Sequence, residues 1–445
     1  MTAKTVISQS NSPARLAKRL DDALRDQEHA LVDMLGKLVQ TPSENLPPHG
    51  NEQTCQLQIA AWLRELEIEP DVYELAEVPE LLHHAEYWPG RNYTNRPNVN
   101  GILKGKGGGR SLILSGHIDT VPADTPVAWT HPPFGAVTED GRLFGRGAWD
   151  MKAGVAMNLA VLRALRQAGI VLAGDLIFES VVDEEFGGVN GTLAGRLRGY
   201  NADAAIIGEP TALRICPAQR GGRTLHITLH GSGGILAGKQ AGGRAVDQLT
   251  YVLSRLPELK ERRTTRVGVH PYYTNSAEPF AVWVTNIATG KWGWIQPITV
   301  PEVCKMELYW QAMPDETQEE VEREFHDWWN EVVDARPDLF AAKPAIEWPM
   351  RFLPGCATPQ NAALVTEFAA AAADLNMAPA IEGLDAPSDM YVFPRCFGTP
   401  AIMWGPSGGG AHQANEYVEV DSLVAATRAL AHFVCRWCGV TELDV

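Results

Sequence analysis

The sequence predicts an α/β chain with a mostly parallel central sheet, interrupted by an inserted α+β domain. Three observations predict it. The chain has 445 residues, more than one ordinary core holds, so two or three domains are expected. Short apolar runs alternate with helical periodicity up to about residue 216 and again from about 354, as in a parallel sheet with crossover helices. The stretch between them runs strand, helix, strand, strand, helix, which suits a small α+β sandwich. The expected layout is 1–216 and 354–445 for the two parts of the α/β domain and 217–353 for the insertion.

In chain order, Leu16, Leu20, Leu24, Leu31, Met34, Leu35 and Leu38 recur at roughly helical spacing. They predict one helix over 13–40. A second runs from Glu52 to Leu66. Residues 76–98 are rich in Pro, Asn, Tyr and Trp and read as an irregular excursion. Strands Val99–Leu103 and Ser111–Ser115 follow, joined by Gly105, Gly107, Gly108 and Gly109. This cluster lacks the Lys-Ser/Thr of a phosphate loop and precedes a strand, so a hairpin turn is expected. Next come helix Met151–Ala168, strand Asp175–Val182, helix Thr192–Arg198 and strand Ala204–Ile207. The insertion has strands Leu225–Leu229, Phe280–Ile287 and Cys304–Trp310, with helices Ala245–Arg255 and Glu316–Val333. The last part has helix Asn361–Leu375, strand Pro400–Trp404, a glycine-rich loop and helix Asp421–Cys438.

Composition narrows the function classes. Hydrophobic residues make up 45% of the chain, a globular value. The formal charge of −16 argues against a nucleic-acid or anionic-membrane partner held by a basic surface. No apolar run is long enough for a transmembrane helix. Met1–Arg15 is polar, so no secretory signal is expected. Seven cysteines, an odd number, fit a reducing cytoplasm better than a disulfide framework. Cys435 and Cys438 lack a second pair and read as packing residues, because a structural zinc wants four donors.

Five segments place an acid or a histidine just after an apolar run. They end at His117 and Asp119, at Asp150, at Glu184 and Glu185, at Glu209, and at His412. Groups at the carboxyl ends of adjacent strands converge although they are far apart in sequence. Two histidines and three carboxylates can hold two zinc ions if one carboxylate bridges. In an extended strand end His117 and Asp119 point the same way, so one can ligate while the other accepts the ring N–H. Glu184 and Glu185 diverge, so one can ligate while the other works as a general base. Each residue alone has a plainer reading. His117 can be a loop residue, Asp150 the N-cap of the helix that follows, Glu184-Glu185 a solvated turn, and Glu209 a turn residue before Pro210. The five together are harder to dismiss.

Ser115-Gly-His-Ile-Asp-Thr-Val-Pro122, Gly145-Arg-Gly-Ala-Trp-Asp-Met-Lys152, Asp183-Glu-Glu185 and Gly208-Glu-Pro210 resemble, in order, the signature of the M20 metallopeptidase family. That family includes acetylornithine deacetylase, succinyl-diaminopimelate desuccinylase, aminoacylases and carboxypeptidase G2-like enzymes. The resemblance implies a zinc-exopeptidase-like catalytic domain, an inserted lid or dimerisation domain, and two divalent metal ions, zinc first, cobalt or manganese next. It implies that His117 and Glu209 ligate separate metals, that Asp150 bridges, and that Glu185 and His412 each ligate one. Glu184 would be base and proton shuttle, and Asp119 the partner of His117. The loop Gly405–Gly410 would line the substrate site. Asp389 falls where related chains carry an aspartate. The implied reaction is attack of a metal-bridging water on a small-molecule amide, an N-acyl amino acid or relative, in the cytoplasm, with a possible homodimer through the insertion. Dipeptidase or carboxypeptidase action is the alternative within hydrolases. A non-catalytic binding protein on a decayed hydrolase fold is the alternative outside them.

The insertion departs from the family pattern. Gly231-Ser-Gly-Gly-Ile235 stands where Gly-x-x-Ala-His is common, so Ile235 replaces a histidine that helps form the oxyanion hole. Gln311-Ala-Met-Pro314 stands for Arg-x-x-Pro, whose arginine binds a substrate carboxylate, and Ile298-Thr-Val-Pro301 for Asn-x-Val-Pro. Losing one oxyanion donor costs about 10²–10³ in rate. His226, His230 and His270 are the remaining lid histidines, and the first two read as one face of a strand. Trp292 and Trp294 either line the pocket or pack the lid. The altered lid points to a substrate without a standard α-carboxylate.

Overall fold

The computed structural model describes residues 13–123, 128–235, 243–290 and 299–443. The polar N-terminal residues 1–12, Trp292, Trp294 and Ile298 lie outside the described residues. The chain divides into two compact units. One comprises Met1–Pro217, Thr358–Leu384 and Asp389–Val445, and the other Ala218–Ala357 and Asp385–Ser388.

The first unit is built on a mixed sheet. Its strands lie side by side in the order Pro70–Tyr73, Asn98–Leu103, Leu176–Val181, Leu112–His117, Ala205–Ile207, Ala401–Met403 and Ile215–Gln219. Parallel pairing is confined to the middle, where Leu112–His117 runs between Leu176–Val181 and Ala205–Ile207, and the latter pairs with Ala401–Met403. The flanks pair antiparallel. Every residue of Leu112–His117 and of Leu176–Val181 is buried. Each therefore opens on an apolar triplet, Leu112-Ile-Leu and Leu176-Ile-Phe, rather than on an alternating pattern. Helix Lys152–Gln167 is buried over most of its surface and packs against the sheet and against helices Pro13–Arg25, Glu28–Gln40 and Val420–Cys438.

Two expectations need correction here. The helix over 13–40 is two helices, Pro13–Arg25 and Glu28–Gln40. Gln27 leaves helical geometry at φ −108° and ψ 0°, and its side-chain amide donates to the Ala23 carbonyl at 2.9 Å. The bend lets both apolar stripes lie on the same central helix. The glycine loop after Leu103 is also not a hairpin turn, because Leu176–Val181 lies between the two strands it joins. The loop pairs instead with the chain entering that strand, Lys106 N–H donating to Leu172 O at 2.9 Å and Gly107 N–H to Ala173 O at 2.8 Å.

The second unit has an antiparallel sheet in the order Val282–Thr289, Val303–Ala312, Gly221–His230 and Ala345–Glu347. Leu225, Ile227, Leu229, Met306, Leu308 and Trp310 pack from it into one core with Val252, Phe325 and Trp328 of helices Ala245–Val267 and Gln318–Asp334. The first of these helices runs well past the expected Arg255 and through Pro257. Tertiary contacts override the local break: Arg263, fully buried, donates to Glu316 and Glu324 at 2.6 Å each. His226 lies on the outward face of the sheet, 2.8 Å from Glu307, and His230 is exposed. Gln311 is buried and spent internally, accepting from Arg220 and donating to the Asp385 carbonyl. The backbone of Ile235 pairs with Thr299.

Candidate metal centre

The ends of the central parallel strands gather the predicted residues within the first unit. His117 is the last residue of its strand and is 2% exposed. Asp150 sits on the turn just before helix Lys152–Gln167. It is not that helix's N-cap: Met151 holds the position and no side chain caps it. Glu184 and Glu185 follow strand Leu176–Val181 through Asp183, whose φ is +64°. That left-handed turn is costly for a residue with a Cβ. It is held by Tyr93 Oη donating at 2.6 Å and Asn45 Nδ2 at 3.0 Å, with Arg96 at 3.6 Å. Glu209 follows strand Ala205–Ile207. The helix reaches it by a close crossing, since a Cβ on Gly154 would stand 2.0 Å from the Gly208 carbonyl oxygen.

The distances place the Asp150 carboxylate between two imidazoles. Asp150 Oδ1 lies 3.4 Å from His117 Nε2, and its Oδ2 lies 3.4 Å from His412 Nε2. One carboxylate thus faces two imidazoles, one with each oxygen. Glu185 Oε2 is 2.8 Å from His412 Nε2, and Glu184 Oε2 is 3.8 Å from His117 Nε2. Donor atoms of His117, Asp150 and Glu185 all lie within 4.8 Å of one another, as do those of Glu184, Glu209 and Asp389. The structure therefore sets Glu209 beside Glu184 and Asp389 in a second cluster. Asp389 is buried and accepts from Thr192 Oγ1.

The electrostatics suit a cation. Burial opposes charge on His117, yet the carboxylates of Asp119, Asp150, Glu184 and Glu209 hold its pKa well above the ordinary imidazole value. Hydrogen bonds to Asp150 and Glu185 hold His412 up at about 11. Burial, then the neighbouring negative charges, pushes Glu184, Glu185 and Glu209 upward. Glu209 Oε1 is buried without a hydrogen-bond partner, an arrangement that costs free energy unless something binds there. A divalent cation would displace the imidazole protons, neutralise the acids and satisfy that oxygen. The donor set of imidazoles and carboxylates fits it.

Asp119 stands beside His117 and also meets the two glutamates. His117 Nδ1 meets the backbone carbonyl of Asp119 at 3.0 Å, and its carboxylate only at 3.6 Å. The carboxylate also accepts from Glu184 N–H at 3.0 Å, Glu185 N–H at 3.1 Å and Asn45 Nδ2 at 2.9 Å. It holds the two glutamates in place.

Glu416 is outside the sequence-predicted set, and Asp389 has no predicted role in it. Glu416 lies in a loop and Asp389 opens a short 3-10 helix, and only the fold brings them to the cluster.

The family model described as Peptidase family M20/M25/M40 matches residues 113–436. The chain belongs to this family. M20 members hydrolyse amide bonds, and this chain is an amide-bond hydrolase of that class. It is 27% identical to an N-formyl-4-amino-5-aminomethyl-2-methylpyrimidine deformylase of Bacillus subtilis, over 94% of this chain and 97% of that one. It is 28% identical to the deformylase of the same name from Halalkalibacterium halodurans, over 93% and 95%. Among solved structures, a dinuclear metal-binding M20 peptidase of Bacillus subtilis has the same fold, with a TM-score of 0.62, 16% identity, and coverage of 94% of this chain and 100% of that one. The M20 chain also has no helix, among the described residues, long and apolar enough to cross a membrane.

Proposed function

We propose that this M20 hydrolase removes a small acyl group, formyl foremost, from the amine nitrogen of a small molecule. In this reading His117, Asp150, Glu185, Glu209 and His412 hold two divalent ions, zinc first. The observation that carries it is Asp150, with one oxygen 3.4 Å from each of two imidazoles. Bound there, such ions supply Lewis acidity toward the amide carbonyl and acidify water. Glu184, set 3.8 Å from His117, takes the proton of the attacking water and delivers it to the leaving nitrogen. Asp119 keeps Glu184 and Glu185 aimed through their amides.

The inserted unit supports the substrate class. Gln311, which stands where the family's Arg-x-x-Pro arginine is common, is neutral and engaged within its own unit by Arg220 and the Asp385 carbonyl. The substrate named for the two deformylases carries no carboxylate. On metal-loaded protein, N-formyl aminomethyl heteroaromatics are expected to release formate at least tenfold faster than N-acyl amino acids or dipeptides. EDTA is expected to abolish that release, and zinc to restore it. Faster cleavage of dipeptides would overturn the reading in favour of a peptidase.

The proposal extends to assembly and location. Edge strand Val282–Thr289 exposes Trp283 and Ile287, and exposed apolar edges invite pairing. A homodimer through this unit is expected, and a monomer mass in sedimentation would overturn it. Seven cysteines, an odd number, suit a reducing cytoplasm better than a disulfide framework.

A further inference from the structure

We infer that Glu416 is a positioning residue that locks the bridging carboxylate of Asp150 and the His412 arm into one unit. Its side chain is fully buried. Oε1 accepts the backbone N–H groups of Trp149 and Asp150 at 3.0 Å each. Oε2 accepts Gly147 N–H at 2.9 Å and Arg146 Nη1 at 2.8 Å. Both carboxylate oxygens are thus satisfied by the turn that presents Asp150. Bonds to an ionised acceptor are about twice as strong as neutral ones, so the carboxylate fixes the direction of the Asp150 backbone itself. The main chain repeats the tie. Gly145 N–H donates to Glu416 O at 2.9 Å, and Tyr417 and Val418 pair with Phe144 and Leu143.

His412 lies four residues before Glu416 on the same loop, at φ +61° and with its side chain half exposed. Within that arm Gln413 N–H donates to Gly410 O at 2.9 Å, and Asn415 Oδ1 accepts from Thr130 N–H at 2.6 Å. Glu416 joins the arm to the Asp150 turn, so the Asp150 oxygen facing His412 and the imidazole it faces are set by one side chain. Residues that orient metal ligands typically change affinity by about 10–100-fold when replaced. Glu416 touches no reacting atom in this arrangement. Its effect passes through Asp150 and His412.

The inference rests on the proposed metal centre, and Co²⁺ titration of the metal-free full chain separates the two. Wild-type protein is expected to bind two Co²⁺ and to show a ligand-field spectrum; failure to do so sinks the metal centre itself. Glu416→Gln keeps the volume but sets an amide N–H₂ against two of the four donors. It is expected to bind Co²⁺ about 10–100-fold more weakly and with an altered spectrum, while its far-UV circular dichroism matches wild type. If that variant does not fold, Glu416→Asp serves: it keeps the charge, withdraws it by one methylene, and is expected to shift affinity and spectrum in the same direction. Arg146→Gln is the control. It removes the ion pair and leaves the three amide bonds, so wild-type affinity is expected. A folded Glu416 variant with wild-type affinity and spectrum overturns the inference, and so does an equal loss in Arg146→Gln.

Discussion

Glu184→Gln is expected to leave metal binding intact and to lower kcat by about 10²–10⁴-fold, the usual contribution of a positioned general base. The substitution is nearly isosteric. Glu184 lies 3.8 Å from His117 Nε2 and clusters with Glu209 and Asp389, so an amide there keeps the shape of the site but cannot accept a proton. The loss should fall on kcat with KM little changed, because the group acts on the reacting water rather than on the substrate in its ground state. Metal content by mass spectrometry and steady-state kinetics on the same preparation check it. Turnover within tenfold of wild type at full metal content would remove Glu184 from the mechanism.

A second large effect is expected from Asp119→Asn. If Asp119 served only to orient the His117 ring, weaker metal binding would be the whole phenotype, and excess metal would restore kcat. The geometry predicts more. The carboxylate accepts the amides of Glu184 and Glu185 at 3.0 and 3.1 Å, and Asn45 Nδ2 at 2.9 Å. Burial opposes its ionisation, but those bonds and His117 hold its pKa below the ordinary carboxylate value, so the charged form is the one the site is built around. An asparagine turns an N–H₂ group toward backbone donors and lets both glutamates shift. About 10–100-fold weaker metal binding is expected. A residual kcat deficit of about 10² should persist at saturating metal, the scale of a misplacement near 1 Å. Full recovery of kcat with excess metal would restore the simpler role.

Much of this was legible in the chain because it is written locally. Strand Leu112–His117 is buried on both faces, so it shows as an apolar triplet leading into Ser115, Gly116 and a histidine. The helix after Asp150 is central, so its periodicity extends almost all round. Three of the four motifs resembling M20 sequences follow central strands, and the fourth leads into helix Lys152–Gln167. What the chain hid was pairing order and bending. Nothing near Gly105–Gly109 tells that a strand more than sixty residues later will lie between Asn98–Leu103 and Leu112–His117. Nothing before Pro257 tells that buried Arg263, paired with Glu316 and Glu324, will keep the helix going. Such interactions join residues distant in sequence, and local propensity does not encode them.

The sequence by itself determined the α/β class with its insertion, the family, and the inventory of donors from His117 to His412. Those follow from residue types and from periodicities that act over a few neighbours. Only the tertiary structure decided how the donors face one another. It set one Asp150 oxygen toward each imidazole, gave the Asp119 carboxylate to the Glu184 and Glu185 amides, and brought Asp389 and Glu416 to the cluster. The physical reason is that adjacent strand ends stand side by side whatever the length of chain between them. Distance in sequence therefore carries no information about distance at the site, while burial there makes each ångström of placement count.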